Sequence, residues 1–262
     1  MKLGGFGKIA DYDRIREAGF DYAELDMPEV EALDEASLEE FAGHVSECGF
    51  PVITGARILP ITEPTFFASG YRPGELESYV RSSCRKNAKI GVKKILFGNG
   101  KARWLIDKDS LSREEQFFGF MRALCEAAGE NGQEVLIEPL GPKYSNYLNT
   151  VPQALEAVDR IGMPNLSVMA DIRHFLWAGE PFEDIAAFHQ RIGHYHIDFP
   201  LSWPDRRWPD VEDGYNYGAF LGQLKAIDHP DLTLTVEADI PDDWMAAGGK
   251  IRDVLEKYSP SK

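Results

Sequence analysis

The chain has 262 residues, 44% of them apolar, which is long for one ordinary domain and normal for an α/β barrel of about 250 residues. Its formal net charge of −15 repels polyanions, which argues against a nucleic-acid partner unless a local basic groove overrides that field. No run approaches the ~18 apolar residues of a membrane helix and the start, M-K-L-G-G-F-G-K, lacks an apolar signal core, so a cytoplasmic protein with no membrane contact is expected.

In chain order, strands and helices alternate. Lys2 to Phe6 reads as a strand, followed by a short helix that Asp13 would cap and Gly19 would end. Tyr22 to Leu25 is the second strand, and Ser37 to Cys48 the next helix, with Ser37 and Glu40 spaced as a capping box. Pro51 to Thr54 gives strand three, and the long connection from Gly55 to Pro73 has the length of a functional wall or lid. A helix over 75–90 leads to V-K-K-I-L-F-G, and the loop from Gly98 to Leu111 leads to a helix over 112–131. That helix carries Phe117, Phe120, Met121, Leu124 and Ala128 on one face.

Glu134 to Ile137 is the fifth strand. Thr150 caps a helix through Ile161, with Pro152 in its first turn, where the missing N–H costs nothing. The remaining beats are strands at 166–170, 193–197 and 232–236, and helices at 181–190, 217–227 and 249–258. Eight such units with no linker composition between them predict a single (β/α)8 barrel domain. An open doubly wound sheet is the rival, but G-G-F-G-K lacks the G-x-G-x-x-G spacing that fold would want after strand one. Cys48, Cys84 and Cys125 fall in helix-like segments without C-x-x-C spacing and read as reduced packing residues. Arg81, Arg85 and Lys89 share i,i+4 spacing, the mark of a solvated helix face.

Four consecutive strands finish in a metal-capable side chain. Q-E-V-L-I-E-P-L stops at Glu138, L-S-V-M-A-D at Asp171, G-H-Y-H-I-D carries His196, and L-T-L-T-V-E stops at Glu237. Barrel strands place their carboxyl ends around one mouth, so these four would converge. Three carboxylates and one imidazole suit a single hard or borderline divalent ion, Mn2+ first, with Mg2+, Co2+ or Zn2+ as alternatives. Taken singly, a strand-end acid is more often a helix cap or ion-pair partner, and His196, with His194 on the same face, could instead be packing. His174, in D-I-R-H, could turn back over the mouth as a proton carrier, and Arg206 or Arg207, in R-R-W-P, could clamp a substrate oxygen.

At these residues the sequence resembles the sugar isomerase/epimerase superfamily of xylose-isomerase-like barrels, which includes ketose 3-epimerases, hydroxypyruvate isomerases, inosose dehydratases and endonuclease IV. The resemblance spans nearly the whole chain. It rests on F-G-N-G-K-A-R at Phe97 to Arg103, I-E-P-L with N-Y-L-N-T-V, D-I-R-H, H-Y-H-I-D with R-x-x-P at Arg206 to Pro209, and the final V-E.

The resemblance implies metal ligation by Glu138, Asp171, His196 and Glu237, with His174 and Arg206 touching a small sugar or polyol substrate. Glu237 and His174 are the catalytic candidates, and Arg206, Tyr144 and Arg103 the substrate-binding ones. Arg103, Lys143 and Arg206 leave room for a phosphorylated sugar, and Phe66, Phe67, Trp104, Trp177, Trp203 and Trp208 for stacking or for packing. Ketose 3-epimerases carry a second catalytic glutamate six residues after the first ligand; here that position is Tyr144, a poor base at neutral pH.

The expected activity is thus aldose–ketose isomerisation or epimerisation through an enediolate. A metal-dependent dehydratase acting on a keto-polyol, a degenerate sugar-binding barrel and an endonuclease-IV-like three-metal hydrolase are the alternatives. The six histidines and the acidic charge weigh against the last, and relatives commonly pair, which leaves a homodimer open.

Overall fold

A computed structural model describes residues 1–227 and 229–258. Eight strands, β1 (Lys2–Gly7), β2 (Tyr22–Asp26), β3 (Val52–Ala56), β4 (Lys94–Phe97), β5 (Glu134–Ile137), β6 (Leu166–Asp171), β7 (Ile192–Ile197) and β8 (Thr233–Val236), form a closed parallel barrel in sequence order. The ring is shut by β1 on β8, with Lys2 opposite Thr233 and Gly5 opposite Val236. This is the (β/α)8 barrel that the alternation predicts.

Among the described residues the α-helices number ten rather than eight: α1 (Tyr12–Glu17), α2 (Met27–Glu31), α3 (Glu35–Cys48), α4 (Glu77–Lys89), α5 (Glu114–Gly129), α6 (Val151–Ile161), α7 (Ile172–Ala178), α8 (Glu183–Phe188), α9 (Gly218–Ile227) and α10 (Trp244–Tyr258). The two additional ones, α2 and α7, start directly at the ends of β2 and β6 and run only five and seven residues. Two expected caps also differ. Asp34, not Ser37, caps α3 by accepting from the Ser37 backbone N–H at 2.8 Å, and Asp13 sits inside the first turn of α1 rather than before it. Helix α10 begins five residues before Gly249, and Gly248 is an interior helix position where a Cβ would stand 3.2 Å from the Ala18 carbonyl oxygen. Thr150 caps α6, as the sequence pattern predicts, and Gly162, at φ +75°, ends it.

Successive residues of a strand point to opposite faces, and here the two faces differ in kind. The outward residues of β5 to β8, including Val135, Ile137, Val168, Ala170, Tyr195, Ile197, Leu234 and Val236, join one apolar core with the helices. The barrel interior is largely polar: Tyr22, Glu24, Thr54, His194, Thr233 and Thr235 are buried, and Leu96, Leu136 and Met169 form a separate small apolar cluster. Gly4 makes room for this filling, since a Cβ there would stand 2.3 Å from the Tyr22 ring.

The basic residues of α4 are paired with acids: Arg81 with Glu77 and Glu130, Arg85 with Glu35, and Lys89 with Glu39. They form a charge-matched surface rather than a groove for polyanions. All three cysteines are free thiols. Among the described residues no helix is long and apolar enough to cross a membrane.

Candidate active site

The period-two pleat carries the inward face of four strands out to the barrel mouth. Leu136 is followed inward by Glu138, Met169 by Asp171, His194 by His196 and Thr235 by Glu237, while strand pairing sets Asp171 beside His196 and His196 beside Thr235. The ligand atoms of Glu138, Asp171, His196 and Glu237 consequently all lie within 4.8 Å of one another. His196 Nδ1 faces the group, 3.1 Å from Glu237 Oε2, 3.7 Å from Glu138 Oε1 and 3.9 Å from Asp171 Oδ2. Asp171 Oδ1 accepts from the Arg173 backbone N–H at 2.7 Å as the cap of α7, which leaves Oδ2 turned to the cluster.

A divalent ion suits this set. Three oxygens and one imidazole nitrogen are a donor set for Mn2+ or a similar ion, and Glu138 Oε1 and His196 Nδ1 are both buried and without a hydrogen-bond partner. Burial pushes the Glu138 carboxyl up to about 7, with the Glu237 and Asp171 charges adding to the effect, so one cation would relieve several like charges at once. Glycine is needed beside it: a Cβ on Gly98 would stand 2.1 Å from Glu138 Oε2. A Gly98→Ala variant is accordingly expected to displace that carboxylate and weaken binding of Mn2+ by about 10–100-fold, read by calorimetric titration with the metal.

Arg206 presents its guanidinium to the same carboxylates. Nη2 donates to Asp171 Oδ2 at 2.6 Å, Nη1 to Glu237 Oε2 at 2.5 Å and Nε to Asp198 Oδ2 at 2.9 Å. Burial alone would raise both the Asp171 and Glu237 carboxyls; the Arg206 charge together with the neighbouring histidines outweighs it and holds both below the usual range. Asp198 is shared with the fully buried Arg173, whose Nε donates to the same oxygen at 2.6 Å. Two arginines are thereby fixed by one acid at the start of the loop after β7. Arg207, the other member of the pair, turns its guanidinium over the Phe199 ring.

Below the cluster lies Glu24, an acid in the middle of β2 with no exposure. Its Oε1 is 2.9 Å from His196 Nε2, close but poorly aligned, so neither atom counts as hydrogen-bonded. Its Oε2 accepts from Thr54 Oγ1 at 2.7 Å and Thr235 Oγ1 at 3.0 Å, and contacts His194 Nε2 at 3.0 Å. Burial would depress the His196 imidazole, but the Glu24 and Glu237 charges override it and raise it well above its ordinary value. Glu24 thus sits behind Nε2 while Nδ1 faces the cluster, the place carboxylates take behind metal-ligating histidines. Reading the chain by strand ends alone misses Glu24, Asp198 and Arg173. The signals were an acid interrupting apolar Y-A-E-L, and the D of H-I-D.

His174, on α7, holds Nε2 3.6 Å from Glu138 Oε1 and 3.8 Å from Asp171 Oδ2. Burial pushes its imidazole down to about 4, so it is neutral near pH 7. Tyr144 packs edge-on to His174 and stacks on Trp177, with Trp203 at its edge and the Lys143 ammonium 4.3 Å from the Trp177 ring centre. Burial raises its phenol further above neutrality.

Beside this wall opens a cleft of about 700 Å³, lined by residues that include Arg57, Leu59, Gly98, Lys101, Tyr144 and Trp203. Both long loops, after β3 and after β4, contribute to it. Arg103 lies elsewhere: fully buried, it donates to the Glu138 backbone carbonyl and is pushed down to about 10 by burial, so it braces a cluster residue from beneath instead of facing the cleft. Phe66 and Phe67 are buried against Phe117, which makes them core rather than stacking surfaces, and the partly buried Trp208 packs on Phe20 and Trp244 at the edge of the core. Trp203, 49% exposed, is the aromatic the cleft presents most openly.

Strand order and strand-end residues together define an α/β barrel whose candidate site occupies the carboxyl-terminal mouth. Residues 12–257 match the family described as Xylose isomerase-like TIM barrel, and the chain belongs to that family. A Xenopus laevis protein named "Putative hydroxypyruvate isomerase" is 27% identical over 124 residues, which span 45% of this chain and 42% of that relative's length. Among solved structures, D-psicose 3-epimerase in the presence of D-fructose superposes with a TM-score of 0.79 at 15% identity, covering all of both chains. The 3-keto-D-glucoside 4-epimerase YcjR from E. coli gives 0.76 at 17%, covering 97% of this chain and 98% of that one. The IOLI protein "with a binding zinc atom" gives 0.75 at 23%, again over the whole of both chains. At these identities the likeness establishes the fold.

Proposed function

We propose that this protein is a divalent-metal-dependent sugar or sugar-phosphate isomerase or epimerase that removes a proton next to a carbonyl. The observation that carries the reading is the convergence of Glu138, Asp171, His196 and Glu237, two of whose buried donor atoms lack a hydrogen-bond partner. Family membership and the isomerase and epimerase names of the relatives support it.

Those four residues would hold the ion, Mn2+ first, and the ion when bound would polarise a carbonyl and its neighbouring hydroxyl and acidify the C–H between them. The chain's own residues do the rest. Glu237 takes the proton from carbon: its carboxylate is ionised at neutral pH under the hold of Arg206. Neutral His174 passes a proton between substrate oxygens, because its imidazole can both donate and accept. Arg206 trades part of its carboxylate contacts for a substrate oxygen, and Tyr144 with Trp203 gives the sugar an apolar wall.

Tyr144 favours a second reading. With a phenol raised by burial where ketose 3-epimerases place a glutamate, the far face of the carbon has no evident base, and a single-base dehydration of a keto-polyol fits as well. A screen of ketoses, keto-inositols and their phosphates in D2O with added Mn2+ tests both. Deuterium uptake at carbon is expected, with epimer or isomer as product in the first reading and loss of water in the second. Absence of uptake across the set, with no ion held per chain, would sink the enzyme reading and leave a sugar-binding barrel.

A further inference from the structure

A second group of donors of different chemistry lies outside the barrel. Asp13 of α1 and His44 and Cys48 of α3 offer ligand atoms that all fall within 4.8 Å of one another, and each residue is partly exposed. We propose that Asp13, His44 and Cys48 form a surface zinc site, separate from the carboxylate cluster and independent of the activity assigned to it.

The spacing of His44 and Cys48 is i,i+4, which places both side chains on one face of α3, and Asp13 comes to that face from α1. His44 Nε2 stands 2.9 Å from Asp13 Oδ2 and 3.0 Å from Oδ1, and Cys48 Sγ lies beside the ring, 3.7 Å from Nε2 and 3.8 Å from Nδ1. Zinc bonds of about 2.0 Å to nitrogen and 2.3 Å to sulfur at a tetrahedral angle set N and S roughly 3.6 Å apart, so binding would leave the Nε2–Sγ distance nearly unchanged while turning Sγ toward the Nε2 lone pair. The His44 ring is fixed by the edge of Tyr12, 5.7 Å between centres. Both Asp13 oxygens face the histidine, and Arg16 Nη2 approaches Oδ1 at 3.1 Å, so Oδ2 is the one without a second cationic neighbour among these contacts.

A thiolate, an imidazole and one carboxylate with water in the fourth position select zinc over Mn2+ or Mg2+, the reverse of the oxygen-rich mouth. Partial exposure supplies both that water and the path of entry. On binding, the Cys48 thiol releases its proton to solvent as the sulfur–metal bond forms, and His44 binds through the Nε2 lone pair with its proton on Nδ1. The bland reading is a His44–Asp13 ion pair with Cys48 as a bystander.

Cobalt(II) separates the two, used as a zinc surrogate in the full chain under a phosphine reductant. The mouth cluster holds no sulfur, and the other thiols, Cys84 and Cys125, are buried and pushed up to about 12, so a thiolate-to-cobalt charge-transfer band in the near ultraviolet reports Cys48. The band is expected to saturate with one ion, to be displaced by zinc, to persist in Glu138→Gln and to vanish in Cys48→Ser. In His44→Gln and Asp13→Asn, both partly exposed positions, cobalt affinity is expected to fall tenfold or more, which also covers a Cys48→Ser variant that does not fold. No band in the wild type, a band surviving Cys48→Ser, or unchanged affinity in both other variants overturns the proposal.

Discussion

The Glu237→Gln variant is expected to lose solvent deuterium exchange at the substrate carbon by about 10²–10⁴-fold, the usual contribution of a positioned general base. Glutamine keeps the volume and can still accept from Arg206, which now donates to Glu237 Oε2 at 2.5 Å, so the mouth should hold its shape while losing its base. Metal content, measured in parallel, decides what the loss means. Retained Mn2+ with lost exchange assigns the proton transfer to Glu237; lost Mn2+ assigns it ligation first. Exchange at the wild-type rate would remove Glu237 from the chemistry altogether.

The second large effect is expected at Glu24, which touches no solvent and no substrate. Removing it in Glu24→Ala strands His194, His196, Thr54 and Thr235 around an empty volume inside the barrel. Breaking a buried charge pair in this way costs about 3–5 kcal/mol, which for a chain of this size lowers the melting temperature on the order of 10 °C. Glu24→Gln can keep the threonine contacts and separates charge from packing. It should cost less stability, yet let the His196 imidazole fall back toward its ordinary value, a change that ring nitrogen shifts in the metal-free protein would report. An unaltered His196 titration in that variant would show that Glu24 does not govern the ring.

Why the sequence disclosed some of this and not the rest follows from what each residue needs in order to be recognised. Glu138, Asp171 and Glu237 were legible because each ends an apolar strand, and a barrel turns position along a strand into position around a mouth. Glu24 was hidden because a lone acid inside a five-residue strand has the pattern of a half-exposed one, and its partner His194 is 170 residues away. Arg103 is the converse case. A loop arginine in a Gly-rich stretch looks like a substrate clamp, and only tertiary packing reveals that it is buried on the Glu138 carbonyl. Helices α2 and α7 escaped notice for a local reason: five and seven residues are too few for a 3.6-residue period to show. Ser37 offered a sound capping box, but Asp34 sits one turn earlier and captured the Ser37 N–H first.

The seam where β1 lies against β8 bears on how the protein is made. Leu3 faces Leu234 across that joint, so the sheet stays an open ribbon with two unpaired margins until β8 is available to pair. Closure must then bring together partners that are distant along the polypeptide, a slow kind of contact to form. The Tyr22 hydroxyl contact to Thr235 Oγ1 inside the lumen, at 2.8 Å, needs that last stave in place.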